Sequence, residues 1–323
     1  MVLGADGEVQ EAAPREEAAP LEAVRGVQGR RVHTVPRRAF LKSKKYIPNL
    51  TVDEIIVTPD PDKNQMKINL VPMAGEGQRY KDAGFTTPKP FIDMDGMPMV
   101  VRACKALPKA DKNIFVCRKH HLEHYPIKDV LQKYLNNIVI VSIDELTEGQ
   151  AITCLAARDH IPDDAILNIG ASDNDMVYNE DNIEELYQNN DLDGWIWTFR
   201  NNPAVLQNPN MYGWVETENA TNKATHVSCK KPISDNPLLN HAVIGAFTFK
   251  KAKSFFDAVN TMIKSNSRIN NEFYVDVAID FAIKSGLNLH VHEVEQYICW
   301  GTPQDYEKYQ FWLKYFKKTS TFD

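Results

Sequence analysis

The chain has 323 residues, of which 43% are hydrophobic and 10% aromatic, so it can bury a substantial core. Its formal net charge of −6 argues against a general binder of nucleic acid or membrane surfaces, because both partners are anionic. No apolar run approaches the roughly 18 residues that a membrane span needs, and no secretory signal is visible. The five cysteines lack metal-binding spacing, which is typical of reduced, mostly buried thiols in a cytoplasmic protein.

The N-terminal region differs in composition from the rest of the chain. Residues 1–40 are rich in Ala, Glu, Arg and Pro, and such a segment buries too little apolar surface to offset the entropy lost on ordering. Residues 41–65 are intermediate, and Ile55-Ile56-Val57 predicts a short strand there. We therefore predict a disordered or extended segment over residues 1–65 and one folded domain over residues 66–323.

From residue 66 onward, apolar runs alternate with helical patterns. Strands are predicted at residues 67–71, 114–117, 138–143, 165–169 and 195–199. The helices predicted between them are at residues 99–107, 121–135, 150–157 and 182–190. Later strands are predicted at residues 212–216, 226–229, 243–249 and 289–294, with helices at 251–264, 273–284 and 304–316. Strands that alternate with helices predict an α/β domain with a mainly parallel sheet.

The loop after the first of these strands is the most informative segment. It reads Met73-Ala74-Gly75-Glu76-Gly77-Gln78-Arg79, and Pro88-Lys89-Pro90 follows. Glycines let backbone amides approach a phosphate, Arg79 offers a planar fork, and Lys89 adds a compact positive charge. A tight turn with solvated charges is the alternative. The order of these groups after a core strand favours phosphate binding, although neither a Walker A loop nor a dinucleotide fingerprint is present.

Two carboxylates follow the predicted strand at residues 165–169. Asp173 and Asp175 would lie at the carboxyl edge of a parallel sheet, where α/β proteins bind ligands, and hard oxygen ligands suit Mg²⁺. We predict both as metal ligands, with an Asx-type turn as the alternative. The histidines, including the His120-His121 pair, show no helical metal spacing, so no histidine metal site is predicted.

Together these motifs resemble the signature of the sugar-phosphate nucleotidyltransferases, also called pyrophosphorylases, in which Gly-x-Gly-x-Arg is followed by Pro-Lys-Pro. The similarity covers about residues 66–316 and includes the turn Trp300-Gly301-Thr302-Pro303. It looks closest to the branch found in capsule and cell-surface polysaccharide clusters. The resemblance implies a GT-A-like, Rossmann-like three-layer sandwich with a mainly parallel mixed central sheet.

The resemblance also implies an activity. The enzyme would join a nucleoside monophosphate from an NTP to a sugar 1-phosphate or another small phosphorylated acceptor and release pyrophosphate. CTP is favoured because capsule-type relatives often use it. Arg79 would stabilise the leaving pyrophosphate, Lys89 the α-phosphate, and Asp173 the Mg²⁺ ion. The expected partners are the NTP and the acceptor, without nucleic acid or membrane, in the cytoplasm; a homo-oligomer stays open.

Five further residues are assigned through the resemblance. Gly149 and Gln150 match a segment that faces the nucleobase, although they are equally typical of a helix start. Lys231 matches the lysine that meets the acceptor phosphate, but adjacent lysines are usually a solvated pair. Glu272 and Tyr212 would border the acceptor pocket; a helix-start acid and a core aromatic are the alternatives.

Two positions depart from the pattern of the resembled family. Cys299 stands where a second metal-binding carboxylate is usual, so Asp175, Asp276 or Asp280 would have to substitute, or the site uses one carboxylate plus phosphates. Lys230 replaces a glutamate beside Lys231. These departures keep two alternatives open. One is a glycosyltransferase that binds an NDP-sugar through Asp173-x-Asp175, which the phosphate-binding cations disfavour. The other is a non-catalytic regulatory homologue that binds nucleotide-sugars.

Overall fold

The computed structural model describes residues 65–218 and 221–319, together with the backbone of three short strands before them. The chain divides into two units, Met1–Asn64 and Gln65–Asp323. In the first unit, β1 (Ala23–Arg25) pairs antiparallel with β2 (Arg31–Pro36), which pairs parallel with β3 (Ile55–Thr58). The strand β3 lies where one is predicted. The remainder of the first unit lies outside the described residues, so the disordered or extended segment stays a prediction.

The second unit is built on a nine-stranded sheet. Its strands are β4 (Lys67–Pro72), β5 (Lys112–Arg118), β6 (Ile138–Ile143), β7 (Ile166–Ile169), β9 (Gly194–Phe199), β10 (Gly213–Thr217), β11 (Ala224–Cys229), β12 (His241–Phe249) and β13 (Leu289–Glu293). They are ordered β11-β10-β12-β7-β4-β5-β6, and β9 joins β12 to β13. Two further strands, β8 (Asn174–Val177) and β14 (Gln296–Cys299), form a separate antiparallel pair.

The sheet contains two groups of parallel strands, which one antiparallel strand joins. Strands β4, β5, β6 and β7 run parallel to one another, as do β9 and β13. Strand β12 runs antiparallel to both β7 and β9, so these two groups point the same way. The carboxyl ends of β4, β5 and β7 therefore meet at one edge, where the loops that follow them lie side by side.

Ten α-helices accompany the strands in the described part of the chain. They are α1 (Gln78–Asp82), α2 (Met99–Ala106), α3 (Lys119–His124), α4 (Ile127–Gln132), α5 (Gln150–Leu155), α6 (Glu180–Gln188), α7 (Ala204–Gln207), α8 (Ala252–Lys264), α9 (Val275–Lys284) and α10 (Pro303–Thr319). The helix predicted over residues 121–135 is wrong as a single element. It is two helices, because Pro126 has no amide hydrogen to continue α3.

Strand alternation places a hydrophobic core on each face of the sheet. Ile114 and Val116 of β5 pack in one core, whereas Phe115 and Cys117 pack in the other. The first core includes residues of α5, α8 and α9, and the second includes residues of α2 and α6. Side chains that alternate with a period of two, covered by helices on both faces, give the three-layer arrangement. No helix within the described ranges combines the length and apolarity needed to span a bilayer.

A buried carboxylate ties α9 to β11. Asp280, 9% exposed, accepts hydrogen bonds from His226 Nδ1 at 2.6 Å and the Val227 amide at 3.1 Å, and Lys284 Nζ lies 2.5 Å away. Burial alone would raise the pKa of Asp280, but the hydrogen bonds from Lys284, Val227 and His226 outweigh it and lower the pKa below its ordinary value of 3.8. The ionised carboxylate therefore stabilises the folded state.

We expect Asp280→Asn to lower the free energy of unfolding by about 2 to 3 kcal/mol at neutral pH, because it removes a hydrogen-bonded buried charge. A carboxyl whose folded pKa is depressed contributes its full stabilisation above 3.8, and loses it as the pH falls through the folded value. Urea unfolding at neutral pH and at about pH 3 should therefore show the gap between wild type and variant closing in acid. Asp257→Asn is the control, because Asp257 also pairs with an i,i+4 lysine but is 59% exposed. An equal loss in both variants would contradict the prediction.

Candidate active site

A cleft of about 580 Å³ opens at the carboxyl edge of the central sheet, beside the loop between β4 and α1. We call it the glycine-loop cleft. The predicted site residues that line it are Met73, Ala74, Gly75, Gly77, Arg79, Lys89, Gly149, Gln150, Asp173 and Glu272. They come from five separate segments of the sequence. The fold therefore brings together most of the residues that the sequence motifs and the family resemblance single out.

The glycine loop has a shape that other residues would disturb. Gly77 has a φ of +63° at the start of α1, a conformation that side chains with a Cβ rarely adopt. A Cβ at Gly77 would lie 3.2 Å from Lys89 Cβ, so the glycine also lets the lysine approach. The base of the loop is fixed because the Met73 amide donates to the Val116 carbonyl at 2.8 Å. Gly75, in contrast, has open space around its Cβ position.

Lys89 and Asp173 form an ion pair inside the glycine-loop cleft. Lys89 Nζ lies 2.5 Å from Asp173 Oδ2 and also donates to the Gly301 carbonyl at 3.2 Å. Their side chains are only 15% and 29% exposed, so water screens the pair little. The Trp300 amide donates to the Asp173 carbonyl at 2.8 Å, and the Tyr80 hydroxyl donates to the Trp300 carbonyl at 2.8 Å. The turn at residues 300–302 is therefore fixed to the Asp173 segment.

Arg79 is exposed and lies on the rim of the glycine-loop cleft. No carboxylate of the described residues forms an ion pair with its guanidinium. The neighbouring Glu76 is instead bound by Arg118 at 3.0 Å and lies 3.9 Å from Lys81. Within the part of the chain that the structure describes, the guanidinium of Arg79 therefore has no carboxylate partner to compete with an anionic ligand of the cleft.

The wall opposite the glycine loop is made of two segments joined through main-chain hydrogen bonds. The Phe273 amide donates to the Glu148 carbonyl at 2.7 Å, and the Ala151 amide donates to the Phe273 carbonyl at 3.0 Å. Between them Gly149 has a φ of +122°, and a Cβ there would lie 2.6 Å from both N and O of Phe273. Only glycine fits this position without strain, so Gln150 and Glu272 are held on one wall.

Cys299 does not supply a second hard metal ligand beside Asp173. Burial and the negative charges of Asp173 and Asp305 raise the pKa of the Cys299 thiol to about 11, so it is neutral at physiological pH. Its Sγ accepts a hydrogen bond from the Gly301 amide at 3.3 Å. Asp305 Oδ2 accepts hydrogen bonds from the Thr302 amide at 3.0 Å and the Thr302 hydroxyl at 2.7 Å. Asp173 is therefore the carboxylate that lines the cleft on this side.

Asp175 is not brought to the glycine-loop cleft, so its role as a metal ligand beside Asp173 stays a prediction that the geometry does not support. It lies in β8 opposite Ile298, and it lines a different depression together with Arg102 and Lys105. Burial raises the pKa of Asp175. Of the other carboxylates considered as substitutes, Asp280 is bound to His226 and Asp276 packs against Gly213, where a Cβ would lie 1.9 Å from Asp276 Oδ1. Neither lines the cleft.

Lys231 and Tyr212 also lie outside the glycine-loop cleft. Lys231 is exposed, and it is Lys230 that turns inward, with a φ of +60° and its Nζ donating to the Met211 carbonyl at 2.6 Å. Tyr212 lines a separate cavity of about 430 Å³ with Tyr297 and Cys299. The acceptor roles of Lys231 and Tyr212 stay predictions that the geometry of the cleft does not support.

The cleft also contains residues that the sequence analysis did not single out. They are the hydroxyl residues Thr147, Thr153 and Ser172, the ring of Tyr80, and Gly245. Single hydroxyl residues, whether in a loop or, like Thr153, in a helix, carry no distinguishing local pattern, so no sequence signal marks them. Gly301 belongs to the Gly-Thr-Pro turn that the sequence analysis names. Its carbonyl accepts a hydrogen bond from Lys89, which only the fold reveals.

Fold and site together define an α/β domain with a glycine-rich cleft at the carboxyl edge of its sheet, lined by both cationic and acidic side chains. No protein-family model matches the chain, and no curated protein sequence matches it. Several solved structures, in contrast, match the chain. The nucleoside-diphosphate-sugar pyrophosphorylase of Vibrio cholerae RC9 has a TM-score of 0.62 and 20% identity, over 75% of this chain and 98% of that one.

Two other solved structures give the same result. The inositol-1-phosphate CTP transferase from T. maritima has a TM-score of 0.58 and 14% identity, over 76% of this chain and 95% of that one. A UDP-glucose pyrophosphorylase complexed with UDP-glucose has a TM-score of 0.60 and 17% identity, over 78% and 99%. At these identities the similarity establishes the fold. The predicted fold class, α/β with a mainly parallel central sheet, is confirmed.

Proposed function

We propose that the chain is a nucleotidyltransferase of the pyrophosphorylase type, which joins a nucleoside monophosphate from an NTP to a phosphorylated small molecule and releases pyrophosphate. The observation that carries this proposal is the position of Lys89 and Asp173 beside the glycine loop in one cleft. Such a cleft combines backbone amides, fixed cations and a carboxylate, which are the groups that phosphoryl transfer requires. The names of the solved structures that share the fold support the same class of reaction.

In the proposed reaction, an anionic oxygen of the acceptor phosphate attacks the α-phosphorus of the NTP. The bond from the α-phosphorus to the bridging oxygen breaks, and pyrophosphate leaves with the electron pair. The glycine loop and Arg79 bind the β- and γ-phosphates, and Lys89 neutralises the charge that develops on the α-phosphate. No general base is required, because the attacking phosphate oxygen is already ionised.

Magnesium fits the donor set of this cleft when substrate phosphates complete its coordination. Mg²⁺ takes hard oxygen ligands and commonly binds through one or two carboxylates plus phosphates. Asp173 supplies one carboxylate of the cleft, whereas Cys299, at the position of the usual second carboxylate, is a neutral thiol that lines a separate cavity. Bound Mg²⁺ would neutralise phosphate charge. Lys89, which pairs with Asp173, is placed to share that task.

The substrates follow from the same assignment. Gly149 and Gln150 would contact the base, and Glu272 on the same wall would contact the acceptor. We favour CTP as the nucleotide and a sugar 1-phosphate or similar small phosphate as acceptor, in the supply of surface polysaccharide precursors in the cytoplasm. One of the structures that share the fold is named as a CTP transferase, which supports the choice of nucleotide.

The glycosyltransferase alternative loses its main support in the structure. It requires Asp173 and Asp175 to act on one metal, but the two residues line different depressions. The non-catalytic alternative is favoured by two departures from the resembled family, the thiol of Cys299 in place of a carboxylate and Lys230 in place of a glutamate.

A panel of substrates tests the proposal. Each of the four common NTPs is combined with Mg²⁺ and with sugar 1-phosphates, inositol 1-phosphate or phosphocholine, and pyrophosphate release is measured. We expect release with at least one pair, and a loss of about 10²-fold in Asp173→Asn, because its ligand charge is removed. Asp159→Asn, an exposed acid outside the cleft, should behave as wild type. Nucleotide binding without turnover by folded protein would establish the non-catalytic alternative instead.

A further inference from the structure

Three potential metal ligands share one exposed side of the short helix α3. His120, Glu123 and His124 are all exposed, and one ligand atom from each lies within 4.8 Å of the others. Their spacing of i, i+3 and i+4 places them on the same face of a helix. The rings of His120 and His124 have centroids 4.2 Å apart. This arrangement corrects the expectation from the sequence that no histidines have helical metal spacing, since the relevant partner of His120 is His124 and not His121.

His124 is held by a hydrogen bond that suits a ligand. Its Nδ1 lies 2.8 Å from the backbone carbonyl of His120. A carbonyl only accepts, so Nδ1 carries the hydrogen, and Nε2 of the neutral ring keeps the lone pair that a metal requires. Histidines that bind metals commonly donate their other N–H to a carbonyl or carboxylate in this way, which fixes the tautomer and the ring orientation.

His121 does not lie on the exposed face with the other two histidines. Its side chain is buried, and its Nε2 lies 3.0 Å from an Arg118 nitrogen. With the Arg118 group donating, His121 Nε2 is already occupied as an acceptor.

We propose that His120, Glu123 and His124 form a surface site for a divalent first-row transition metal, for which Zn²⁺ is the probe. Two imidazoles and one carboxylate suit Zn²⁺ and its neighbours, whereas Mg²⁺ prefers oxygen ligands. Three protein ligands leave coordination positions open to water or another small ligand. This site is separate from the glycine-loop cleft and does not depend on the proposed reaction.

The site adjoins the glycine loop through Arg118. This residue ends β5 immediately before α3, and its guanidinium binds Glu76 of the loop at 3.0 Å. A metal that links His120 to His124 holds consecutive turns of α3 together. Because it binds the folded state in preference to the unfolded chain, it raises the Tm by mass action.

Calorimetric titration of the full chain with Zn²⁺, without nucleotide, tests the site. We expect one saturable event per chain that is weakened at least about tenfold by His124→Ala and by His120→Ala. Glu123→Gln should weaken it less, because an amide oxygen still binds metals. His160→Ala is the matched control, since His160 is exposed and lies outside the cluster, and it should leave the affinity unchanged.

A second readout separates loss of binding from loss of folding. The Zn²⁺-induced increase in Tm should disappear in His124→Ala, while the metal-free Tm of that variant stays within a few degrees of wild type because the side chain is exposed. Zn²⁺ binding of undiminished affinity in the double variant His120→Ala/His124→Ala would overturn the proposal, and so would the absence of saturable binding to wild type.

Discussion

Replacing Lys89 by methionine is expected to lower kcat for pyrophosphate release by about 10²- to 10³-fold. Methionine keeps much of the length and apolar volume of the side chain but removes its charge. In the structure that charge lies 2.5 Å from Asp173 Oδ2 inside a partly buried cleft, where electrostatic stabilisation of a transition state is far stronger than in water. The KM for NTP should change less than kcat, because Arg79 and the glycine loop still bind the triphosphate.

Lys81→Met is the matched control for this experiment. Lys81 follows the same glycine loop and is 53% exposed, but it does not line the cleft, and its Nζ lies 3.9 Å from Glu76. It should retain wild-type kcat. Circular dichroism and thermal unfolding must show that Lys89→Met is folded. A folded Lys89→Met enzyme with near-normal kcat would contradict the role assigned to Lys89.

Gly149→Ala should destabilise the protein by about 2 to 6 kcal/mol, the sum of two effects. A φ of +122° costs a residue with a Cβ about 1 to 3 kcal/mol. The new methyl group would also lie 2.6 Å from N and O of Phe273, so the backbone must move, at a further cost of about 1 to 3 kcal/mol. Urea unfolding of wild type and variant measures the difference.

The control for Gly149 is Gly286→Ala, which separates the two effects. Gly286 has a φ of +98°, but no atom lies within 4 Å of its Cβ position. The control should therefore lose only the backbone term of about 1 to 2 kcal/mol. Equal losses in the two variants would show that the contact with Phe273 is accommodated without cost.

Much of the fold follows from local sequence patterns. The central strand Ile166–Ile169 is buried on both faces, as expected for a largely apolar run in a parallel sheet, and the edge strand Ile138–Ile143 has the predicted bounds. The strand pair β8–β14 was not predicted, because Asp173-Asn174-Asp175 has the composition of a turn and its partner strand lies more than a hundred residues away. Propensity describes short segments, whereas this pairing depends on tertiary structure.

Part of the candidate site could likewise be predicted from the sequence, and part depends on tertiary structure. The glycine loop, Arg79 and Lys89 were recognisable because they lie close in sequence and follow the first core strand. The position of Asp175 outside the cleft could not be predicted, because the direction of its side chain depends on β8. Lys231 was assigned through its match to the family motif, and the left-handed backbone of Lys230, which turns that side chain inward, is not evident from the residue types.

The hydrogen bonds between Glu148, Phe273 and Ala151 make one strip of main chain common to both substrates of the proposed enzyme. If Gln150 contacts the base and Glu272 the acceptor, as proposed, both substrates contact this one segment, and a shift of the segment on binding one of them would change the affinity for the other. Thermodynamic reciprocity would then require each substrate to change the affinity of its companion by the same factor. The proposed enzyme would thus couple its two substrates through the main chain.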